Sequence, residues 1–430
     1  LAVIGAPGRD SIQTDSGSIY VLDGSSGQWV VGPKITPDPF FAQEFESFGE
    51  SVDIEGDRII VGAPGRDVNG LLQAGAAYIF HYDTNLDDWM QEDVLTAGDD
   101  AQCFASFGGF DGDKPHHQAV SIDGRFAVVG ALTACVQGPE CSALKDEVEC
   151  LSSGVCIDLQ NCESEGEAYV FSYNGTEWQR VQKLAATNQN GDFIGQVKAG
   201  FGATVAVDGD WIVIGEPYRR PGDDTGSVGG GHGDAYVFKR IAGSSPPQWQ
   251  FHQRLDPPPL EDGDNFGYAV DIDGDDLIVG ARRDGPDPQP PSDGEVGSLT
   301  VYTLDTTGGS EIWVKEQTVH PSDGTVDDRF GTAARISGGL IIVGARNHDH
   351  GSPQAHGTAY VFQRTGTGWE EVLELSASDL EATIDVGDHF GEAVAIFNDN
   401  AFIGAPDDDP QGTNDSTLDH GAGYVFTDLP

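Results

Sequence analysis

The stretch FGESVDIEGDRIIVGAP, residues 48–64, decides the fold. It opens on Phe48-Gly49, runs through an apolar strand to the turn Glu55-Gly56-Asp57, and returns through a second apolar strand to Gly62-Ala63-Pro64. Phe-Gly recurs at Phe107, Phe201, Phe266, Phe330 and Phe390. The matching second glycines are Gly130, Gly215, Gly280, Gly344 and Gly404. The spacing is 14 residues in every unit except that of Phe107 and Gly130, where it is 23. A further copy of the second signal, Gly5-Ala6-Pro7, stands without its Phe-Gly. Repetition at a fixed period outweighs length as a guide to domain organisation, so the whole of 1–430 reads as one repeat domain.

Each unit continues through a polar loop to Gly-x-x-Tyr, as in Gly75 to Tyr78, Gly233 to Tyr236 and Gly357 to Tyr360. The fifth unit departs from the pattern, with Thr300 in the tyrosine position. A Trp then opens the last strand, at Trp29, Trp89, Trp178, Trp249, Trp313 and Trp369. Four short strands per unit and no helix predict an all-β, seven-bladed β-propeller of four-stranded antiparallel blades. The signals add up to 26 strands, because the first blade lacks its opening strand and the last its closing one. Flanking residues or a strand from a neighbouring subunit are expected to complete those two blades, since natural proteins cover long strand edges. Recurrence of Trp and Tyr once per unit assigns them to packing layers rather than to a sugar-stacking surface, and Trp211, outside the series, is expected to pack as well.

These motifs resemble the FG-GAP repeat propellers, a family that includes the integrin alpha subunit. The resemblance runs from Gly5-Ala6-Pro7 to Tyr424-Val425-Phe426, and the short turns are most similar to the repeats of microbial and algal extracellular proteins. It implies an adhesion or interaction role, since propellers of this type serve as recognition modules. The integrin calcium loop, Asp-x-Asp-x-Asp-Gly, has no room at Glu55-Gly56-Asp57, Asp123-Gly124-Arg125, Asp208-Gly209-Asp210, Asp273-Gly274-Asp275 or Ser337-Gly338-Gly339. Those turns read as two-residue type I′ hairpins.

With 71 Asp and Glu against 22 Lys and Arg, the net charge is -49. Such a chain repels phosphate backbones and acidic lipid, which excludes nucleic acid as a partner. No run of about 18 apolar residues would cross a bilayer. Divalent cations or high salt are the natural counter-charge, and calcium is the candidate cofactor, with solvated surface charge the competing reading of the acidic loops. Candidate ligands are Asp407, Asp408 and Asp409, whose adjacent carboxylates repel unless screened, and the acids before Phe-Gly: Asp262, Asp264, Asp327, Asp328 and Asp388. Capping of loop amides is the competing role for the second group. Further acids, such as Asp10, Asp223 and Asp284, lie in the polar loops. His116-His117 and His348-Asp349-His350 could hold a transition metal or act as bases, although histidine in a polar insertion is usually just exposed.

Six cysteines, Cys103, Cys135, Cys141, Cys150, Cys156 and Cys162, lie close together without a Cys-x-x-Cys pair. Five of them fall within an insertion at 135–162 that replaces an ordinary loop. Disulfides and an oxidising compartment are expected, with 15 possible pairings for six thiols. Sequons at Asn174 and Asn414 point the same way. No hydrolase elbow, zinc helix or phosphate loop is present, and Gly229-Gly230-Gly231 lacks the helix and lysine of a phosphate cradle. The sequence is therefore read as a non-enzymatic extracellular or cell-surface module that binds a protein or glycan ligand. Alternatives are a self-assembling subunit of an extracellular coat or filament, and an accessory domain of an extracellular hydrolase.

Overall fold

The computed structural model describes residues 1–8, 14, 16–37, 42–98, 107–108, 118–132, 149–150, 156–157, 166–187, 199–219, 232–255, 257, 263–285, 296–348, 356–377, 387–408 and 421–430. Seven antiparallel sheets follow one another along the chain and form a seven-bladed β-propeller. The first blade is β1 (Ala2–Ala6), β2 (Ser18–Asp23) and β3 (Val30–Ile35), and the second β4 (Val52–Glu55), β5 (Arg58–Ala63), β6 (Ala76–Asp83) and β7 (Asp88–Leu95). The third holds β8 (Val120–Asp123), β9 (Phe126–Ala131), β12 (Glu167–Tyr173) and β13 (Trp178–Leu184), interrupted by a small hairpin, β10 (Glu149–Cys150) and β11 (Cys156–Ile157). The fourth is β14 (Thr204–Asp208), β15 (Trp211–Glu216), β16 (Asp234–Arg240) and β17 (Trp249–Arg254). The fifth is β18 (Phe266–Asp273), β19 (Asp276–Ala281), β20 (Ser298–Asp305) and β21 (Ile312–Val319). The sixth is β22 (Phe330–Ser337), β23 (Leu340–Ala345), β24 (Thr358–Thr365) and β25 (Gly368–Leu375), and the seventh β26 (Ala393–Phe397), β27 (Asn400–Ala405) and β28 (Ala422–Phe426). Among the described residues the first and last blades have three strands each, as the motif tally predicts. The chain forms two compact units, one centred on Leu1–Val207 and the other on Phe251–Pro430.

Within both units the repeated residues do the same work. The second strand of a blade is a continuous apolar run, such as Ile59, Ile60 and Val61 or Ile341, Ile342 and Val343, and every one of these side chains is buried. Burial on both faces is why this strand lacks polar alternation. The Phe of Phe-Gly is fully buried and stands edge-on to the Tyr and the aromatic residue two places on: Phe330 lies 5.6 Å from Tyr360 and 5.9 Å from Phe362. Phe48 repeats this with Tyr78 and Phe80, and Phe390 with Tyr424 and Phe426. Truncating such a ring to alanine typically costs about 3–5 kcal/mol.

Glycines make the seam between neighbouring blades. The Gly of Gly-x-x-Tyr bridges to the Phe of the next blade in parallel, from Gly17 to Phe48 through Gly357 to Phe390. The second-strand glycine faces the next Phe-Gly glycine directly, so a Cβ on Gly344 would stand 1.9 Å from the Gly391 carbonyl oxygen. No other residue fits there.

One expectation needs correction. The strand 1 to strand 2 turns of the second to sixth blades carry Gly in the first central position with positive φ, for example 58° at Gly56 and 60° at Gly274, but the second residue is not left-handed where it carries a side chain. Those φ signs belong to type II′ turns, because Asp57 and Asp275 carry a Cβ that disfavours the second positive φ of type I′. Only Gly338-Gly339, at 59° and 85°, has both.

The acids of these turns bind amides of the next blade. Asp208 accepts the Gly274 N–H and Asp273 that of Gly338, each at 2.7 Å. On the inner strands, Asp53 accepts from Ile122 and Asp271 from Ile336, each at 2.9 Å.

Outer strands are joined by a glutamine that none of the repeat motifs marks. Gln182 accepts the Trp249 N–H through Oε1 and donates Nε2–H to its carbonyl, both at 2.7 Å. Gln253 treats Trp313 the same way, at 2.9 and 2.8 Å, and Gln317 treats Trp369, both at 2.9 Å. Each of these glutamines lies four residues after its own blade's Trp. A β-bulge at the residue before it, as at Glu316 between the paired Lys315 and Gln317, re-aims the side chain toward the neighbour. In the second blade the bulged Glu92 accepts the Trp178 Nε1–H at 2.9 Å, and Asp93 accepts its backbone N–H at 3.2 Å.

Candidate functional site at the loop ends of the blades

Two repeat positions and one hydroxyl meet where the polar loops leave the sheets. The first position is the acid two residues before Phe-Gly, and Glu46, Asp264, Asp328 and Asp388 are all buried there. The second is the residue four places after the Gly-Ala glycine: Arg66, Arg219, Asp284, His348 and Asp408. The hydroxyl is that of the repeated Tyr. Its ring packs in the blade as expected, while its oxygen reaches a carboxylate.

In the second blade, Glu46 binds Arg66 Nη1 at 2.6 Å and accepts the Tyr78 hydroxyl. In the fourth, where Ala199 holds the first position, the acid comes instead from the end of β15: Tyr236 donates to Glu216 at 2.7 Å, and Arg219 bridges Glu216 at 3.3 Å and Asp234 at 2.9 Å. Burial outweighs the attraction of Arg219 and pushes the Glu216 carboxyl up to about 7. Burial and the neighbouring carboxylates also push the Tyr78, Tyr236 and Tyr360 hydroxyls upward, so they stay protonated and donate.

The sixth blade builds a different cluster on the same plan. Asp328, 1% exposed, accepts the Thr325 N–H at 2.5 Å, the Thr325 hydroxyl at 2.7 Å and His348 Nδ1–H at 2.9 Å. His348, 3% exposed, is held by its own backbone, its N–H on Ala345 and its carbonyl accepting from Gly357. With Nδ1 committed to Asp328, Nε2 faces Asp323 Oδ2 at 3.6 Å. Tyr360 fixes the other Asp323 oxygen at 2.8 Å, and Glu374 sits opposite Tyr360 in the β24–β25 register. One ligand atom from each of Asp323, His348 and Glu374 lies within 4.8 Å of the other two. Burial opposes the imidazolium charge, but the Asp328 bond and the charges of Asp328, Asp323 and Glu374 outweigh it and raise the His348 pKa.

The expected calcium ligands are dispersed. Asp407 pairs with His389 and Asp408 accepts the Tyr424 hydroxyl at 2.6 Å, so these neighbours diverge, and Asp409 lies outside the described residues. Asp327 is exposed with φ 70°, Asp388 stands 3.6 Å from His356, and Asp262 is outside the described residues. Asp264 is buried and its carbonyl accepts the Arg283 N–H. Capping is what Asp328 does. Cys103, Cys135, Cys141 and Cys162 lie outside the described residues, as do His116, His117, His350 and Asn414. Cys150 and Cys156 face each other across the β10–β11 backbone pairing. Asn174 is exposed in the β12–β13 turn, where its Oδ1 accepts the Thr176 N–H and hydroxyl. Trp211 is buried against Trp313, as expected. Asp323 and Glu374 were not legible as site residues; their signal is that they flank the one repeat unit with His in the position of Arg66 and Arg219.

The FG-GAP repeat family profile matches residues 41–80, 249–301, 313–362 and 369–426. No curated protein matches. Among solved structures, the chain is similar to the crystal structure of a protein from Lactobacillus plantarum, at 11% identity and a TM-score of 0.41, covering 81% of this chain and 74% of that one. The chain is thus a seven-bladed β-propeller that carries FG-GAP repeats in four places.

Proposed function

We propose that the chain is a non-enzymatic, extracellular or cell-surface interaction module that binds a protein or glycan ligand. The observation that carries this reading is on the outer strands. β21 turns Trp313 inward and leaves Ile312 and Val314 exposed, β25 does the same with Val372 and Leu373, and β3 exposes Val30 and Val31. Exposed aliphatic groups beside strongly charged surface are the composition of a contact face. Surface labelling of intact source cells tests the location, and binding to arrays of matrix proteins and glycans tests the activity. Ile312→Ser with Val314→Ser should abolish the strongest array signal without altering the fold. Unchanged binding in that variant, or catalytic turnover by the purified chain, would overturn the reading. Self-assembly into a coat or filament is the second reading, favoured by the same exposed residues, and concentration-dependent sedimentation would raise it above the first.

A further inference from the structure

We propose that Asp323, His348 and Glu374 bind one first-row divalent transition-metal ion of the zinc class, with Asp328 as the residue that positions the imidazole. The position four residues after the Gly-Ala glycine holds Arg66 in the second blade and Arg219 in the fourth, and each lies in an ion pair with a buried glutamate. A fixed cation suffices there. The sixth blade replaces it with the one cationic side chain that can give up its proton and offer a lone pair in its place.

Around that side chain the acids are more numerous than an ion pair requires. Asp328 already neutralises the Nδ1 side at 2.9 Å. Asp323 adds a second carboxylate, on the Nε2 side at 3.6 Å, and Glu374 a third, with one ligand atom of Asp323, His348 and Glu374 each within 4.8 Å of the other two. A carboxylate on one ring nitrogen, with the other turned toward ligand groups, is how metal-binding imidazoles are oriented, because the outer bond fixes the tautomer and raises the basicity of the inner nitrogen. Three acids around one imidazole also repel one another, and a dication relieves that repulsion.

The geometry accommodates an ion with small movements. Ligand distances of about 2.0–2.2 Å at a tetrahedral centre place the donor atoms about 3.4 Å apart. His348 Nε2 and Asp323 Oδ2 stand at 3.6 Å. His348 is anchored by its buried ring and backbone bonds, whereas Asp323 and Glu374 are exposed and can close on it. One nitrogen and two oxygens select zinc or its neighbours over calcium, which takes oxygen donors alone. Three protein ligands leave a fourth position for water.

Titration of the full chain, stripped with chelator and kept in high sodium chloride to screen loose binding, provides the test. Co2+ should give visible ligand-field bands that saturate at one equivalent and vanish on addition of Zn2+ but not Ca2+. Asp328→Asn should weaken Co2+ binding by about 10- to 100-fold. Glu374→Gln, at an exposed position, and His348→Arg, which restores the residue of the second and fourth blades, should fold normally by circular dichroism and remove the bands. Absence of the bands in the parent chain, their persistence in both variants, or displacement by Ca2+ as readily as by Zn2+ would overturn the proposal.

Discussion

Replacing Gln317 with Ala removes the two bonds through which β21 holds the Trp369 backbone, one accepted from its N–H and one donated to its carbonyl. Each net hydrogen bond is worth about 0.5–1.5 kcal/mol, so the pair contributes about 1–3 kcal/mol. Gln317→Glu should be worse, since the carboxylate keeps the acceptor but turns a second oxygen toward the Trp369 carbonyl. Heat is a poor assay for a chain of this size. Unfolding entropy of about 2.1 cal/mol/K per residue over 430 residues converts about 2 kcal/mol into a melting shift of only about 2 °C. Denaturant titration resolves the loss, and hydrogen exchange at the Trp369 amide localises it, because that N–H alone loses its acceptor. If Gln317→Ala leaves both the midpoint and the Trp369 exchange rate unchanged, or Gln317→Glu is no worse than Ala, then the outer strands are held by packing and the glutamine bonds are incidental.

Gly344→Ala should cost at least about 2 kcal/mol, because the new methyl meets the Gly391 carbonyl at 1.9 Å, while Gly366→Ala, with nothing within 4 Å, should be neutral in the same denaturant titration. Glu216 holds its proton more tightly when folded, so its contribution to stability falls as pH rises from the ordinary carboxyl range through about 7, and Glu216→Gln should remove that decline from a pH series of unfolding midpoints. His348 has the opposite origin but a like sign: its folded pKa is raised, so in metal-free protein its stabilisation is complete below its ordinary value of about 6.5 and is lost as pH climbs through the raised one. His348→Arg should abolish that dependence in the same pH series.

The blades were legible because their signals answer to backbone constraints. Phe48-Gly49 to Gly62-Ala63 fixes two strands at once, since only glycine allows the close seam and only an aromatic fills the blade interior. Gln317 was not legible because a glutamine in a half-exposed strand resembles any solvated residue, and the bulge that redirects it has no sequence marker of its own. His348 was noticed as a possible ligand, yet its partners Asp323 and Glu374 come from the incoming link and the last strand of the same blade, and only the folded register unites them. Likewise Asp407 and Asp408, adjacent in sequence, alternate in direction and find separate partners.

The glycine seam has a consequence for how such a chain can change. Where Gly344 meets Gly391 and Gly357 bridges Phe390, the contacting atoms are largely main chain, which every repeat carries in identical form. At this seam one blade therefore accepts any other as its neighbour without reading that neighbour's side chains, which are read only farther out, as where Glu92 takes Trp178. A duplicated or transposed unit arrives with a compatible seam, and selection is left to act on the outer contacts, on the loops and on single positions such as that of His348, one copy at a time.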